Sequence, residues 1–217
     1  MTAERPEQEA AAQKVADQQL AALLAPLEET DAATLLRLHQ RLVNDAERNS
    51  ALDIAYRTVD SPLGSLLLAA TGKGILRVAF SGENHDAVLQ DLANRVSPRI
   101  LLAPARLDAA ARELEEYFAR RRKVFALPLD FRLSRGFRLS VLEHLPAIAY
   151  GRTESYAEVA TAAGNPRAVR AVGTACATNP LPLLLPCHRV VRSDGSYGGY
   201  LGGTEAKRFL LSLEAGA

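Results

Sequence analysis

Between Thr153 and Pro180 the chain reads TESYAEVATAAGNPRAVRAVGTACATNP, and no other stretch restricts the fold as strongly. Ser155 followed by Glu158 has the spacing of a capping box, in which each side chain satisfies a backbone N–H of the helix start. Gly164 is placed to end that helix, since glycine accepts the left-handed backbone that closes a final turn. Asn165 can then cap a second helix, with Pro166 in its first turn, where the missing N–H costs nothing. The spacing predicts a helix, a short turn and a second helix, a unit used in nucleic-acid binding and in plain helical packing.

The second predicted helix sorts its residues. Val169, Val172 and Cys176 fall on one apolar stripe, with Ala168 and Ala175 beside it. Arg167, Arg170 and Thr174 share another face at i, i+3, i+7 spacing. Gly173 and the alanines keep this helix slim, so it can approach another surface closely. A solvated polar face and a DNA-contacting face both fit the pattern.

Immediately downstream stands LLLPCHRVVRSDG, Leu183–Gly195. A free thiol titrates near pH 8.5, so a nucleophilic Cys187 requires a base or a positive environment. His188 is adjacent, yet neighbours in an extended strand point to opposite faces. A Cys187–His188 relay therefore needs a bend or a bridging water. Pro186 favours such a bend. A histidine base in turn wants a carboxylate, for which Glu214 in FLLSLEAG is a candidate that spacing alone cannot select. Small core packing for Cys187 and a turn role for His188 are the simpler alternative for an isolated pair; Cys176 reads as that kind of core cysteine.

Two cysteines and four scattered histidines show no zinc-ligand spacing, so no metal is expected. No run of about 18 apolar residues is present, and the acidic start MTAERPEQEA lacks the form of a secretory signal. A cytoplasmic protein without membrane association is expected. Charge is graded along the chain: residues 1–50 hold 5 Lys/Arg against 9 Asp/Glu, residues 51–131 hold 11 against 10, and residues 132–217 hold 10 against 6. Positive charge thus gathers in the third that carries Cys187, mild support for a polyanionic partner.

Residues 1–50 read as two helices, around 13–27 and over the stretch with Leu35, Leu38, Leu42 and Ala46, with Thr30 or Asp31 as N-cap. They form a helical extension whose partner is open. From Asp53 the pattern turns to β-rich runs broken by SPLG and TGKG, predicting three strands in antiparallel hairpins, followed by a helix over Leu107–Arg120. Phe137–Ile148 reads as a helix as well. Three regions result: 1–50, 51–131 and 132–217.

PCHRVV, with NPLPLLL before it and SDGSYGGYLGG and KRFLLSLE after it, resembles the O6-alkylguanine-DNA alkyltransferases. The similarity continues upstream through IAYGRTESYAEVATAAGNPRAVRAVG and more weakly to DSPLGSLLLAAT, covering about Leu52 to Glu214. The resemblance implies an α/β amino-terminal domain like ribonuclease H, then a mostly helical domain with a helix–turn–helix. It implies irreversible transfer of an alkyl group from O6-alkylguanine in double-stranded DNA, with O4-alkylthymine as an open second substrate, to Cys187. No cofactor is implied, and each molecule reacts once. Matched position by position, His188 resembles the base acting through a water, Glu214 the carboxylate behind it, and Tyr156 the tyrosine that protonates the leaving guanine. Asn179 resembles the residue joining the helix pair to the active-site turn. Arg170 resembles the finger that replaces a flipped-out base in minor-groove binding, with Arg167 and Thr174 beside it. Pro182, Val190 and Tyr200 match pocket positions.

The chain departs from the family pattern in lacking tryptophan in VLEHL, in Leu201 where some members have serine, in offering no zinc site, and in residues 1–50. Two other classes remain at this stage: an alkylated-DNA-binding or regulatory module without repair, and a cysteine hydrolase using Cys187, His188 and Glu214. Retention of Cys187 argues against the first, and the hydrolase would not need Arg170.

Overall fold

A computed structural model describes residues 31–216, and the chain divides after Ala51 into two compact units. In the first unit, residues 31–48 form helix α1. The helix expected around residues 13–27 and the Thr30 cap lie outside the described residues.

The second unit begins with strands β1 (Ile54–Val59), β2 (Leu66–Thr71) and β3 (Gly74–Phe80), paired antiparallel in sequence as expected. The SPLG turn is closed by Ser61, whose hydroxyl donates to Gly64 O at 2.6 Å. Two further elements went unpredicted. Helix α2 (His85–Arg95) crosses over to a short strand β4 (Ile100–Leu102), which pairs parallel to β1, giving the order β3-β2-β1-β4. Helix α3 (Asp108–Phe118) follows, two residues shorter at its end than expected. Its buried residues Ala110, Glu113, Leu114 and Tyr117 form one helical stripe. Ile54, Ala69, Leu76 and Leu92 make a core that Leu133 enters from the next segment.

Strand β3 is an edge, and unpaired edges invite unwanted pairing. Both ends of this edge are occupied. Residues 128–130 add to it through Ile75 N–H to Pro128 O and Asp130 N–H to Ile75 O, each 2.8 Å. Gly74 permits this approach: at φ +140 a Cβ there would stand 2.2 Å from Pro128 O. Farther along, Val78 N–H donates to Pro180 O at 2.9 Å. The sheet thereby holds the segment that leads into Cys187.

Helix α4 (Gly136–His144) ends earlier than Ile148, passing into a 3-10 turn at Leu145–Ala147 that contains Pro146. Strand β5 (Glu154–Ser155) leads into α5 (Tyr156–Ala162), and the Ser155–Glu158 capping box is present. Helix α6 (Val169–Ala177) starts later than the sequence predicts. Its N-cap is Ala168, without a side-chain cap bond, and Ala168 N–H instead closes a turn on Asn165 O. Arg167 therefore lies in that turn, not on the helical face of Arg170 and Thr174. Strand β6 (Val190–Val191) pairs parallel to β5, and helix α7 (Gly203–Ala215) closes the chain. Among the described residues no helix is long and apolar enough to cross a membrane.

Candidate active site

The segment from Asn179 to Val191 is wholly buried, and a folded-back turn shapes it. Leu185 N–H donates to Leu181 O at 2.8 Å, Cys187 N–H to Leu185 O at 2.7 Å, and Arg189 N–H to Pro186 O at 2.9 Å. Leu183 adopts φ +73 inside this turn, a left-handed conformation costing about 1–3 kcal/mol for a non-glycine residue. Asn179, at the end of α6, organises the turn from one side chain. Its Oδ1 accepts from Leu181 N–H at 2.9 Å; its Nδ2 donates to Leu185 O at 2.9 Å and to Cys187 Sγ at 3.2 Å.

Cys187, His188 and Arg189 form a single 3-10 turn, the bend that adjacency of the cysteine and histidine requires. Among the described residues no direct hydrogen bond joins Cys187 to His188. His188 is fully buried and turns Nε2 to Glu214 Oε1 at 2.8 Å. An ionised carboxylate only accepts, so Nε2 carries the proton and Nδ1 keeps a lone pair. Nδ1 is buried without a hydrogen-bond partner.

Glu214 sits among donors. Oε1 also accepts from Tyr117 OH at 2.7 Å and Arg189 Nη2 at 3.0 Å; Oε2 accepts from Arg189 Nε at 2.9 Å and Gly151 N–H at 3.1 Å. Burial alone would raise its pKa, but the hydrogen bonds from His188, Arg189 and Tyr117 outweigh it and hold the carboxyl well below the usual range. Burial lowers the pKa of His188 against the pull of Glu214, and burial pushes the Cys187 thiol up to about 11, offset in part by Asn179 and by the charge of Lys207. At neutral pH both shifts favour the uncharged forms, a protonated thiol beside a neutral imidazole.

Around this centre stand the other expected residues. Pairing of β5 with β6 sets Ser155 opposite Val191, which brings the start of α5, and Tyr156 with it, beside the active-site turn. Burial, then the neighbouring cysteines, push the Tyr156 phenol up to about 12, so it remains a donor. Gly198 lets the following loop pass this phenol, since a Cβ there would meet Tyr156 OH at 2.1 Å. Tyr200 is buried, edge-on to Phe80 and His188 at ring separations of 5.7 and 6.2 Å, and its hydroxyl has no partner. Pro182 and Val190 are buried in the same segment. Arg170 and Thr174 are exposed one turn apart on α6, and Arg167 is exposed in the preceding turn. Cys176 and Cys187 are both free thiols.

Three residues were missed. Tyr117 lies on the buried stripe of α3, which the Ala110–Leu114–Tyr117 spacing marks. Arg189 stands within PCHR, where the sequence pattern assigns it no role; its guanidinium also donates to Ile148 O at 2.6 Å and lies 5.7 Å from the Tyr150 ring centre. Lys207 is fully buried, donates to Val190 O at 2.5 Å, and stands 5.9 Å from the Tyr156 ring centre. Lys207, Leu210 and Glu214 occupy one stripe of α7, and two charges on a buried stripe were the available signal. Among the described residues no cluster of His, Cys, Asp and Glu could hold a metal ion.

Comparison with known proteins places this arrangement. The family described as 6-O-methylguanine DNA methyltransferase, ribonuclease-like domain, matches residues 54–131, and its DNA-binding domain matches residues 136–216. The constitutive methylated-DNA–protein-cysteine methyltransferase of Bacillus subtilis is 39% identical, over 73% of this chain and 94% of that protein. The enzyme of that name from Methanosarcina barkeri is also 39% identical, over 73% of this chain and 96% of its own. In fold, the crystal structure of the Mycobacterium tuberculosis protein OGT in complex with DNA matches with a TM-score of 0.66 at 36% identity, covering 75% of this chain and 93% of that one. With similarity at this level over nearly the full length of its relatives, the chain belongs to the 6-O-methylguanine-DNA methyltransferase family.

Proposed function

We propose that this protein repairs alkylated DNA directly, moving the alkyl group of O6-alkylguanine onto Cys187 in a single irreversible turnover. The observation that carries the reading is the buried Cys187 thiol, held by Asn179, beside a histidine whose one free nitrogen is Nδ1 and whose other nitrogen is fixed by Glu214.

Helix α6 would lie in the minor groove as the second half of a helix–turn–helix, with Arg170 entering the base stack where the damaged nucleotide has rotated out. Arg167 and Thr174 would contact phosphates. The extruded base would enter a pocket formed by Pro182, Val190 and Tyr200, whose unpartnered hydroxyl is a donor awaiting a ligand.

In the chemical step, His188 Nδ1 takes the thiol proton through a bridging water as Sγ attacks the alkyl carbon. The sulfur–carbon bond forms and the carbon–O6 bond breaks, its electron pair remaining on guanine. Tyr156 protonates the departing base and is reprotonated by way of His188. Cys187 ends as a thioether, and nothing in the site activates that bond for cleavage, so one molecule repairs one lesion. Organisation into a helical extension (1–50), an α/β domain (51–131) and a DNA-binding domain (132–217) belongs to the same reading. So does a cytoplasmic location, which fits two free cysteines.

Intact-mass measurement after mixing with O6-methylguanine duplex tests the proposal. One methylene should be added per chain, on Cys187, with product reaching a plateau at about one equivalent. Linear turnover would establish a hydrolase instead, and binding without adduct would establish a recognition module.

A further inference from the structure

A cleft of about 640 Å³ is walled by Arg95, Arg132, Arg135 and Arg138 together with Val96 and Leu133. Four arginines line it, and no carboxylate belongs to its walls. Asp91 pairs with Arg95 at 2.8 Å and Asp130 with Arg132 at 2.7 Å, so two carboxylates stand behind four cations. Arg138 donates to Leu133 O. Arg135 is exposed, and its side chain has no hydrogen bond or ion pair with any described residue.

A second cavity of about 480 Å³ shares Arg95, Leu133 and Arg138 with this cleft. Its walls also carry Glu83 and Asp91, each paired with an arginine of the same wall (Arg77 and Arg95), and reach Ala177, Thr178 and Asn179 at the end of α6. One trough therefore runs from the last turn of α6, beside the active-site segment, to the four arginines.

We infer that the arginine cleft is a second phosphate-binding surface, which takes phosphodiester groups of the same DNA duplex at a distance from the lesion. The inference rests on the function proposed above for α6. Guanidinium forks match phosphate oxygens two at a time, and an uncompensated pair of positive charges favours a polyanion. A free nucleotide fits less well, because the walls offer no aromatic platform for a base. Continuity with α6 supplies the register: a duplex held along that helix would lead its backbone into the trough.

Salt-dependent binding of the full chain to unmodified fluorescent duplex tests this. Arg135→Glu should weaken binding by about tenfold at low salt and lower the slope of log K against log salt by about one, the value for one lost phosphate contact. Arg112→Glu, an equal charge change on the exposed side of α3, should leave the slope unchanged. Thermal unfolding of each variant should match the parent. Equal effects of the two reversals would reduce the result to net charge and overturn the site. So would an unchanged slope in Arg135→Glu, including a case in which the cleft binds ATP while duplex affinity stays constant. Cys187 adduct formation, read by mass on the same samples, reports separately on the proposed repair: its loss in the parent protein would sink that reading and leave the slope comparison standing.

Discussion

At the scale of single residues, the roles proposed for Cys187 and His188 predict a pH dependence. A thiol whose pKa is pushed up to about 11 is almost wholly protonated at neutral pH. If the small thiolate fraction reacted alone, transfer would speed up about tenfold per pH unit below that value. If neutral His188 removes the proton during attack, the rate follows the imidazole instead. Its pKa lies below the ordinary 6.5, because burial disfavours the charged ring. Transfer from free O6-benzylguanine, which needs no base flipping, should therefore be level between pH 6.5 and 9.0 and decline only on the acid side. A continuous tenfold rise per unit across that interval would remove His188 from the role of base. The stability consequences carry opposite signs. His188 has a lowered folded pKa, so its contribution is present above 6.5 and lost as pH falls. Cys187 has a raised one, so its contribution is present below 9.0 and lost as pH rises toward about 11.

At the scale of elements, α6 has two faces that a substitution can separate. Its inner stripe, Val172, Ala175 and Cys176, is buried, whereas Arg170 is exposed and its guanidinium has no described polar partner. If Arg170 replaces the extruded base, it offsets an unstacking cost of a few kcal/mol. Arg170→Ala should then slow repair of duplex by roughly a hundredfold or more while reaction with free base stays near the parent rate. Arg167→Ala, in the turn ahead of the helix, should only weaken duplex binding and flatten its salt dependence. Equal losses on duplex and free base for Arg170→Ala would mean that the arginine supports the pocket. The faces of this helix were legible from apolar spacing, and the Ser155–Glu158 capping box was legible because both partners are local. The start of α6 was not: Asn165 and Pro166 have the composition of a helix entry, yet the chain spends them on a turn. Strand β4 was invisible for a different reason. Three residues are too short to show alternation, and their parallel pairing with β1 is a long-range contact. Helix α2 buries only Leu92, so its periodic signal is faint.

At the scale of the whole molecule, the carboxylate at the centre of the site is held from both family domains. Glu214 comes from α7, His188 and Arg189 from the active-site turn, and Tyr117 from α3 in the ribonuclease-like domain. Sequence resemblance named Glu214 and His188 but not Tyr117, because the domain that supplies it gives no local hint that its last helix faces Glu214. Two further ties run the same way: Val78 N–H to Pro180 O, and Leu133 within the sheet's core. The α/β domain is thus part of the active site's framework. Tyr117→Phe tests this with the loss of one oxygen. The ring stays among Phe118, Phe125 and Tyr150, so packing is conserved. What disappears is a hydrogen bond to a charged acceptor, a change of about 1.5–3 kcal/mol in stability. Glu214 would keep its bonds from His188, Arg189 and Gly151, so it should remain ionised and the fold should persist with a lower Tm. His188 would gain a larger share of the carboxylate's charge, which favours the imidazolium, and the acid limb of the free-base transfer profile should move to higher pH. A Tm loss with an unmoved acid limb would make Tyr117 a packing residue only. A shift of the limb, seen with no change in duplex binding, would establish that a side chain of the amino-terminal domain positions the base that activates Cys187.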